Sequence, residues 1–230
     1  TSPTALVLPV EEIVAALEPT VPVLIDGAHG PGMLPVDVAA IGASFYTGNC
    51  HKWLGAPKGA GFLFAAESLR AELTPAVVSH GWNSPRTDRS RFHLMFDWTG
   101  TADPSAYLTV PFAIEFMGSL YPGGWNELRE RNRALAVAGR DVVAAAVPAT
   151  DLPPTEMLGA MAAIPLSPGV MQVLPHPEAL STVLLERHQV EVPIFPWPAP
   201  PHRMLRISAQ AYNKIEDYER LAKALGAIGA

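Results

Sequence analysis

The sequence predicts an α/β fold, with a parallel-rich sheet in a large domain over residues 1–122 and a small C-terminal α+β domain over residues 123–230. Three observations carry this expectation. Residues 21–25 form a short apolar, β-branched run ending at Asp26-Gly27, the pattern of a buried parallel strand that delivers its last residues to a loop. Residues 36–41 and 43–47 then read as a helix and a second strand, and such a strand-helix-strand unit crosses over right-handed to pair its strands in parallel. Beyond a long helix at 125–147 the chain turns to a mixture of single strands and helices, as in a small α+β unit.

The elements follow in order. Val10, Ile13, Val14 and Leu17 repeat at helical spacing, and Pro19 closes that helix over 10–17. The turn Gly55-Ala56-Pro57-Lys58-Gly59 introduces a third strand at 59–64. Residues 75–103 lose periodicity and read as a loop-rich stretch, long enough to be functional or partner-facing. Helices are expected at 104–120 and 125–147, separated by the break Tyr121-Pro122-Gly123-Gly124, where the domain boundary is placed. Strands at 161–166, 190–195 and 204–208 and helices at 177–188 and 215–228 complete the chain, with an extended loop at the proline cluster 193–201.

With 230 residues and 49% hydrophobic content the chain buries a sizeable core. Its formal charge of −6, with no basic run, argues against nucleic acid as a partner. A single cysteine, Cys50, excludes an internal disulfide framework and a cysteine-rich metal site, and suits a reducing cytosol. No apolar run reaches bilayer-spanning length and no signal-peptide order opens the chain, so a soluble cytoplasmic protein is expected. Thr1-Ser2-Pro3-Thr4 runs directly into the strand-and-helix pattern, as if the chain were entered partway through a domain.

Polar groups gather where two successive strands are expected to end: Asp26 with His29, and His51 with Lys52. Ligands of open α/β sheets bind at that edge. A lysine amine there suits a carbonyl-bearing cofactor, and a nearby aspartate suits a protonated ring nitrogen. Taken singly, a lysine after a strand is usually solvated and Asp-Gly is usually a turn. The combination carries the weight.

The segment Val23-Leu24-Ile25-Asp26-Gly27-Ala28-His29-Gly30, followed by Cys50-His51-Lys52-Trp53 and Ala56-Pro57-Lys58-Gly59-Ala60-Gly61-Phe62-Leu63, resembles the class V pyridoxal-phosphate (PLP) family, which includes cysteine desulfurases, kynureninase and isopenicillin N epimerase. The resemblance implies the PLP-dependent transferase fold of type I, with the N-terminal part of the large domain missing. It implies PLP as cofactor, with Lys52 forming the Schiff base, Asp26 pairing with the pyridine nitrogen and His51 contacting the phosphate. His29 stands where desulfurases have a glutamine near the ring hydroxyl. Asn49 stands where they have a serine at the phosphate, and Ser2 where they have an asparagine reaching the ring hydroxyl. Trp98-Thr99-Gly100-Thr101 resembles a segment whose threonine reaches the neighbouring subunit's phosphate, which implies a homodimer with shared active sites; an ordinary loop before a helix capped by Asp103 is the alternative. Leu205-Arg206-Ile207-Ser208 resembles the strand whose arginine grips the substrate α-carboxylate, with Arg203 as a rival on the solvent side of that strand.

A desulfurase needs a mobile thiol in the small domain, and residues 192–203 contain none. The strings 46–53, 79–82 and 96–103 most closely resemble the epimerase branch, isopenicillin N epimerase and its relatives. That implies an epimerase acting on the α-carbon of an amino-acid substrate, with a C–S lyase or aminotransferase-like enzyme as alternative. Lys52 serves as base on one face, and His29, His80 and Tyr212 are candidates for the other. A non-catalytic or incomplete PLP-fold fragment is the reading of a different class.

Overall fold

The computed structural model describes residues 1–18, 20–147, 149, 151–166 and 177–228, without the side chains of 177–179. The Pro19 stop lies outside the described residues. Two compact units divide the chain, one of residues 9–115 and one of residues 1–8 and 116–230.

The unit of residues 9–115 begins with α1 (Val10–Leu17), β1 (Leu24–Asp26), α2 (Val38–Ile41), β2 (Phe45–Asn49) and β3 (Gly61–Ala65). Its sheet has the order β1-β2-β3; β1 and β2 run parallel with Asp26 opposite Thr47, and β3 returns antiparallel to β2. The parallel pair is the one expected from the strand-helix-strand order. Asp37 starts α2 by accepting bonds from the Ala39 and Ala40 amides, and Gly42 at φ 72° ends it. The Glu18 carboxylate accepts from the Val23 and Ser44 amides and the Ser44 hydroxyl, tying the end of α1 to the starts of β1 and β2. Val14, Ile41, Ala43 and Tyr46 form the small core between sheet and helices.

Three expectations are corrected here. The run 21–25 predicts a strand covered on both faces, yet Leu24 is 60% exposed and Asp26 is exposed, because these two alternate onto one face of β1 while Ile25 on the other packs against the small core. The loop-rich stretch contains α3 (Arg91–Phe96), started by the Ser90 hydroxyl accepting from the His93 amide. The single helix expected at 104–120 is two, α4 (Ser105–Leu108) and α5 (Val110–Gly118), since Pro111 has no N–H to continue the ladder of the first.

The other unit holds α6 (Gly124–Ala146), β4 (Met161–Leu166), α7 (Pro177–His188), β5 (Ile194–Pro196), β6 (Arg203–Ser208) and α8 (Ile215–Ile228). The antiparallel sheet has the order β4-β6-β5, so β6 is central and paired on both sides. Ala136, Val143, Ile164, Leu184, Leu205 and Leu225 pack between this sheet and the helices. Strand β5 is shorter than expected, Pro193 lacking the N–H that would extend it. The opening segment is stitched to this unit by a bridge between Leu6 and Leu158 and by the Val7 amide donating to the Met157 carbonyl. No helix among the described residues is long and apolar enough to cross a membrane.

Candidate active site

Parallel pairing sends the loops after β1 and β2 to the same edge of the sheet. The first, Asp26 to Gly30, is shaped by close approach to Tyr46 on β2. A Cβ at Gly27 would lie 2.1 Å from the Tyr46 ring and one at Gly30 2.4 Å from its hydroxyl, so only glycine fits at either place. The Tyr46 hydroxyl donates to the Gly27 carbonyl at 3.3 Å, and burial, then the Asp26 charge, raise its pKa. Asp26 accepts from the Ala28 amide at 3.1 Å through Oδ1 and is otherwise open to solvent.

Strand β2 ends at Asn49, and the second loop carries Cys50, His51 and Lys52. Cys50 N donates to the Ala60 carbonyl at 3.0 Å, and the Ala56 amide donates back to the Cys50 carbonyl at 3.0 Å, closing a tight turn. His51 Nδ1 lies 2.9 Å from the Ala60 carbonyl. A carbonyl only accepts, so Nδ1 holds the proton and Nε2 presents a lone pair when the ring is neutral. Lys52 is half-buried, and its amine has no hydrogen-bond or ion-pair partner among the described residues. Cys50 is buried, and burial raises its thiol pKa, which keeps it protonated.

A bond that the sequence reading missed joins the two loops: Trp53 Nε1 donates to His29 Nδ1 at 3.2 Å. Gly32, at φ +87°, packs against the Trp53 backbone so closely that a Cβ would come within 2.7 Å of it. Asp26, His29, Asn49, His51 and Lys52 thus stand at adjoining strand ends and loops at one edge. Tyr46 and Trp53 hold those loops together; the position of Trp53 directly after Lys52 was the only sequence signal for its part. Thr101 is different. It lies exposed in the loop between α3 and α4 and makes no hydrogen bond among the described residues, next to Gly100 at φ +138°. Asp103 accepts from the Ser105 amide and hydroxyl at the start of α4.

In the other unit Arg206 sits mid-strand on β6, opposite Ala163 of β4. Its Nη1 donates to the Ser2 carbonyl and hydroxyl, each at 2.7 Å, while Nε is buried with no partner among the described residues. Burial lowers the guanidinium's pKa. Arg203 is not on a solvent face: it is 7% exposed, on the side of the strand that carries the core residues Leu205 and Ile207.

Residues 4–143 match the aminotransferase class-V family. The chain belongs to that family. It is 35% identical over 240 residues to isopenicillin N epimerase of Streptomyces clavuligerus, covering 99% of this chain and 58% of that protein. It is also 35% identical over 242 residues to a probable chloroplastic L-cysteine desulfhydrase of Arabidopsis thaliana, covering 99% of this chain and 49% of that one. The chain therefore spans about half the length of the relatives it matches. Among solved structures, a cysteine desulfurase from Thermococcus onnurineus NA1 matches with TM-score 0.73 at 17% identity, covering 97% of this chain and 56% of that one. A cystine C-S lyase in complex with cysteine persulfide matches with TM-score 0.72 at 19% identity, over 95% and 57% of the two chains. The fold is that of the type I PLP-dependent enzymes, and PLP is the family's cofactor. The donor set of this edge fits that group: a half-buried amine without a partner among the described residues, a carboxylate at the end of the neighbouring strand, and an amide and an imidazole beside the amine.

Proposed function

We propose that the chain carries the cofactor lysine of a PLP-dependent enzyme that acts on the α-carbon of an amino acid, most closely an epimerase. The observation that carries this reading is the Lys52 amine, unpaired among the described residues, at the sheet edge it shares with Asp26. Lys52 would hold PLP through Nζ, Asp26 would keep its ring nitrogen protonated, and His29 would face its ring hydroxyl. Asn49 and His51 would hold its phosphate, with Thr101 reaching the phosphate of a second subunit in a homodimer. Bound there, PLP supplies an electron sink for charge at the substrate α-carbon.

The remaining steps belong to the chain's own residues. Arg206 takes the substrate α-carboxylate; its half-buried charge pairs with no acid among the described residues, and an anion offsets that cost. Lys52 Nζ would serve as the base that takes the α-proton on its own face. Epimerisation then requires a donor on the opposite face. His29 is held at Nδ1 by Trp53, His80 is exposed, and Tyr212 is 83% exposed, so the three candidates differ in how firmly they are placed. A buried, protonated Cys50 is unsuited to carrying sulfur, which disfavours a desulfurase.

A C–S lyase is the second reading, favoured by equal identity to the desulfhydrase. Incubation of the PLP-loaded full chain with amino acids in D2O separates the two. Deuterium at the α-carbon with inversion supports the epimerase; sulfide and a keto acid from L-cysteine without inversion support the lyase. Neither outcome with any amino acid would contradict both.

A further inference from the structure

Arg206 is held by one residue from the far end of the sequence. Leu205 and Ile207 point into the core, so the alternation of β6 puts Arg206 on the opposite face, across from the small Ala163. A side chain this long and rotamer-rich has no fixed direction unless something fastens its head. Ser2 does so twice on one nitrogen, since its main-chain carbonyl and its hydroxyl both accept from Nη1 at 2.7 Å. Ser2 is itself anchored: Ala5 is buried, Leu6 bridges Leu158, and the Val7 amide bonds the Met157 carbonyl, just ahead of the β4 strand that neighbours Arg206.

We propose that Ser2 is a positioning residue for Arg206, occupying Nη1 so that the guanidinium presents its Nη2 side to the substrate carboxylate. With Nη1 engaged and Nε closed off from solvent, Nη2 is the nitrogen left for an incoming anion. Ser2 accepts and contributes no charge, so the cation keeps its full attraction for a carboxylate; an acidic residue at this place would neutralise it. The carbonyl contact survives any side-chain change, and loss of the hydroxyl therefore loosens the arginine without freeing it. This inference rests on the reading of Arg206 as the carboxylate site.

The test compares Ser2→Ala, Ser2→Thr and Arg206→Ala in the PLP-loaded full chain, reading apparent Kd from the cofactor absorbance during titration with L-alanine and with ethylamine, its carboxylate-free analogue. Ser2→Ala should weaken L-alanine roughly tenfold, the scale of one charge-assisted hydrogen bond, and leave ethylamine unchanged, with Ser2→Thr restoring the wild-type value. Phenylglyoxal labelling of Arg206, read by mass spectrometry without any ligand, should run several-fold faster in Ser2→Ala. Equal weakening of both ligands, or unchanged L-alanine binding and labelling in Ser2→Ala while Arg206→Ala weakens L-alanine, overturns the positioning role. If Arg206→Ala binds L-alanine like the wild type, the carboxylate-site reading itself falls.

Discussion

The two units solve the problem of rigidity in opposite ways. In the unit of residues 1–8 and 116–230, a sheet with paired central strand β6 lies under α6 and α8, and large aliphatic side chains such as Ile164, Leu184 and Leu205 are wholly buried. In the unit of residues 9–115 the apolar cluster is small and β1 is an exposed edge. There, placement depends on single polar ties: Glu18 to Ser44, Tyr46 to Gly27, Trp53 to His29 and His51 to Ala60. Apart from Thr101, the candidate cofactor residues stand at the strand ends and loops so tied, and the candidate substrate arginine stands on the well-packed sheet. A volume change should therefore be most costly in the second setting, and a lost contact or lost glycine most disruptive to the site in the first.

The largest expected effect is Leu205→Ala, which leaves a cavity in the closed core and should cost about 2–5 kcal/mol in denaturant unfolding. Next comes Gly27→Ala, whose Cβ would collide with the Tyr46 ring. It should cost about 1–3 kcal/mol as an overpacked contact and lower PLP occupancy by displacing Asp26, read by absorbance after dialysis. Tyr218→Phe is smaller, at about 1 kcal/mol for the lost bond to the Ser208 carbonyl. It also carries a pH signature: burial, then the Asp217 charge, push the Tyr218 phenol up to about 12 from its ordinary 10.0. Its contribution is complete below the unfolded-state value and is lost as pH rises toward 12, so Tyr218→Phe should flatten the alkaline fall in melting temperature. Smallest is Glu18, whose pKa the Ser44 hydroxyl bond and then the Val23 amide bond lower from 4.5. Its stabilisation is present above that value and is lost as pH falls through the depressed one. Hydrogen-exchange protection of the Val23 and Ser44 amides, taken relative to their intrinsic rates, should fall in acid, and Glu18→Gln should remove most of that change.

Much of the fold was legible because its signals are local. The bounds of β4, α7 and α8 agree with the apolar patterns at 161–166, 177–188 and 215–228. The parallel pairing of β1 with β2 followed from an intervening helix, and that pairing alone brings the Asp26 and Lys52 loops to one edge. What escaped depends on tertiary context. The run at 21–25 has the same residues whether one face or two are covered, so the exposure of Leu24 left no mark in it. Helix α3 spans six residues, too few for periodicity to register. The contacts of Trp53 with His29, and of Ser2 with Arg206, join positions 24 and 204 residues apart and become visible only when the register of strands is known.

The central claim is that Lys52 carries the cofactor. Incubation of the chain with PLP, reduction with borohydride and peptide mass spectrometry test it directly, beside a Lys52→Ala variant. The account predicts a reduced PLP adduct on the Lys52 peptide and its loss, with the cofactor's absorption band, in the variant. An adduct confined to Lys58, Lys214 or Lys223, or a band that persists in Lys52→Ala, would contradict it.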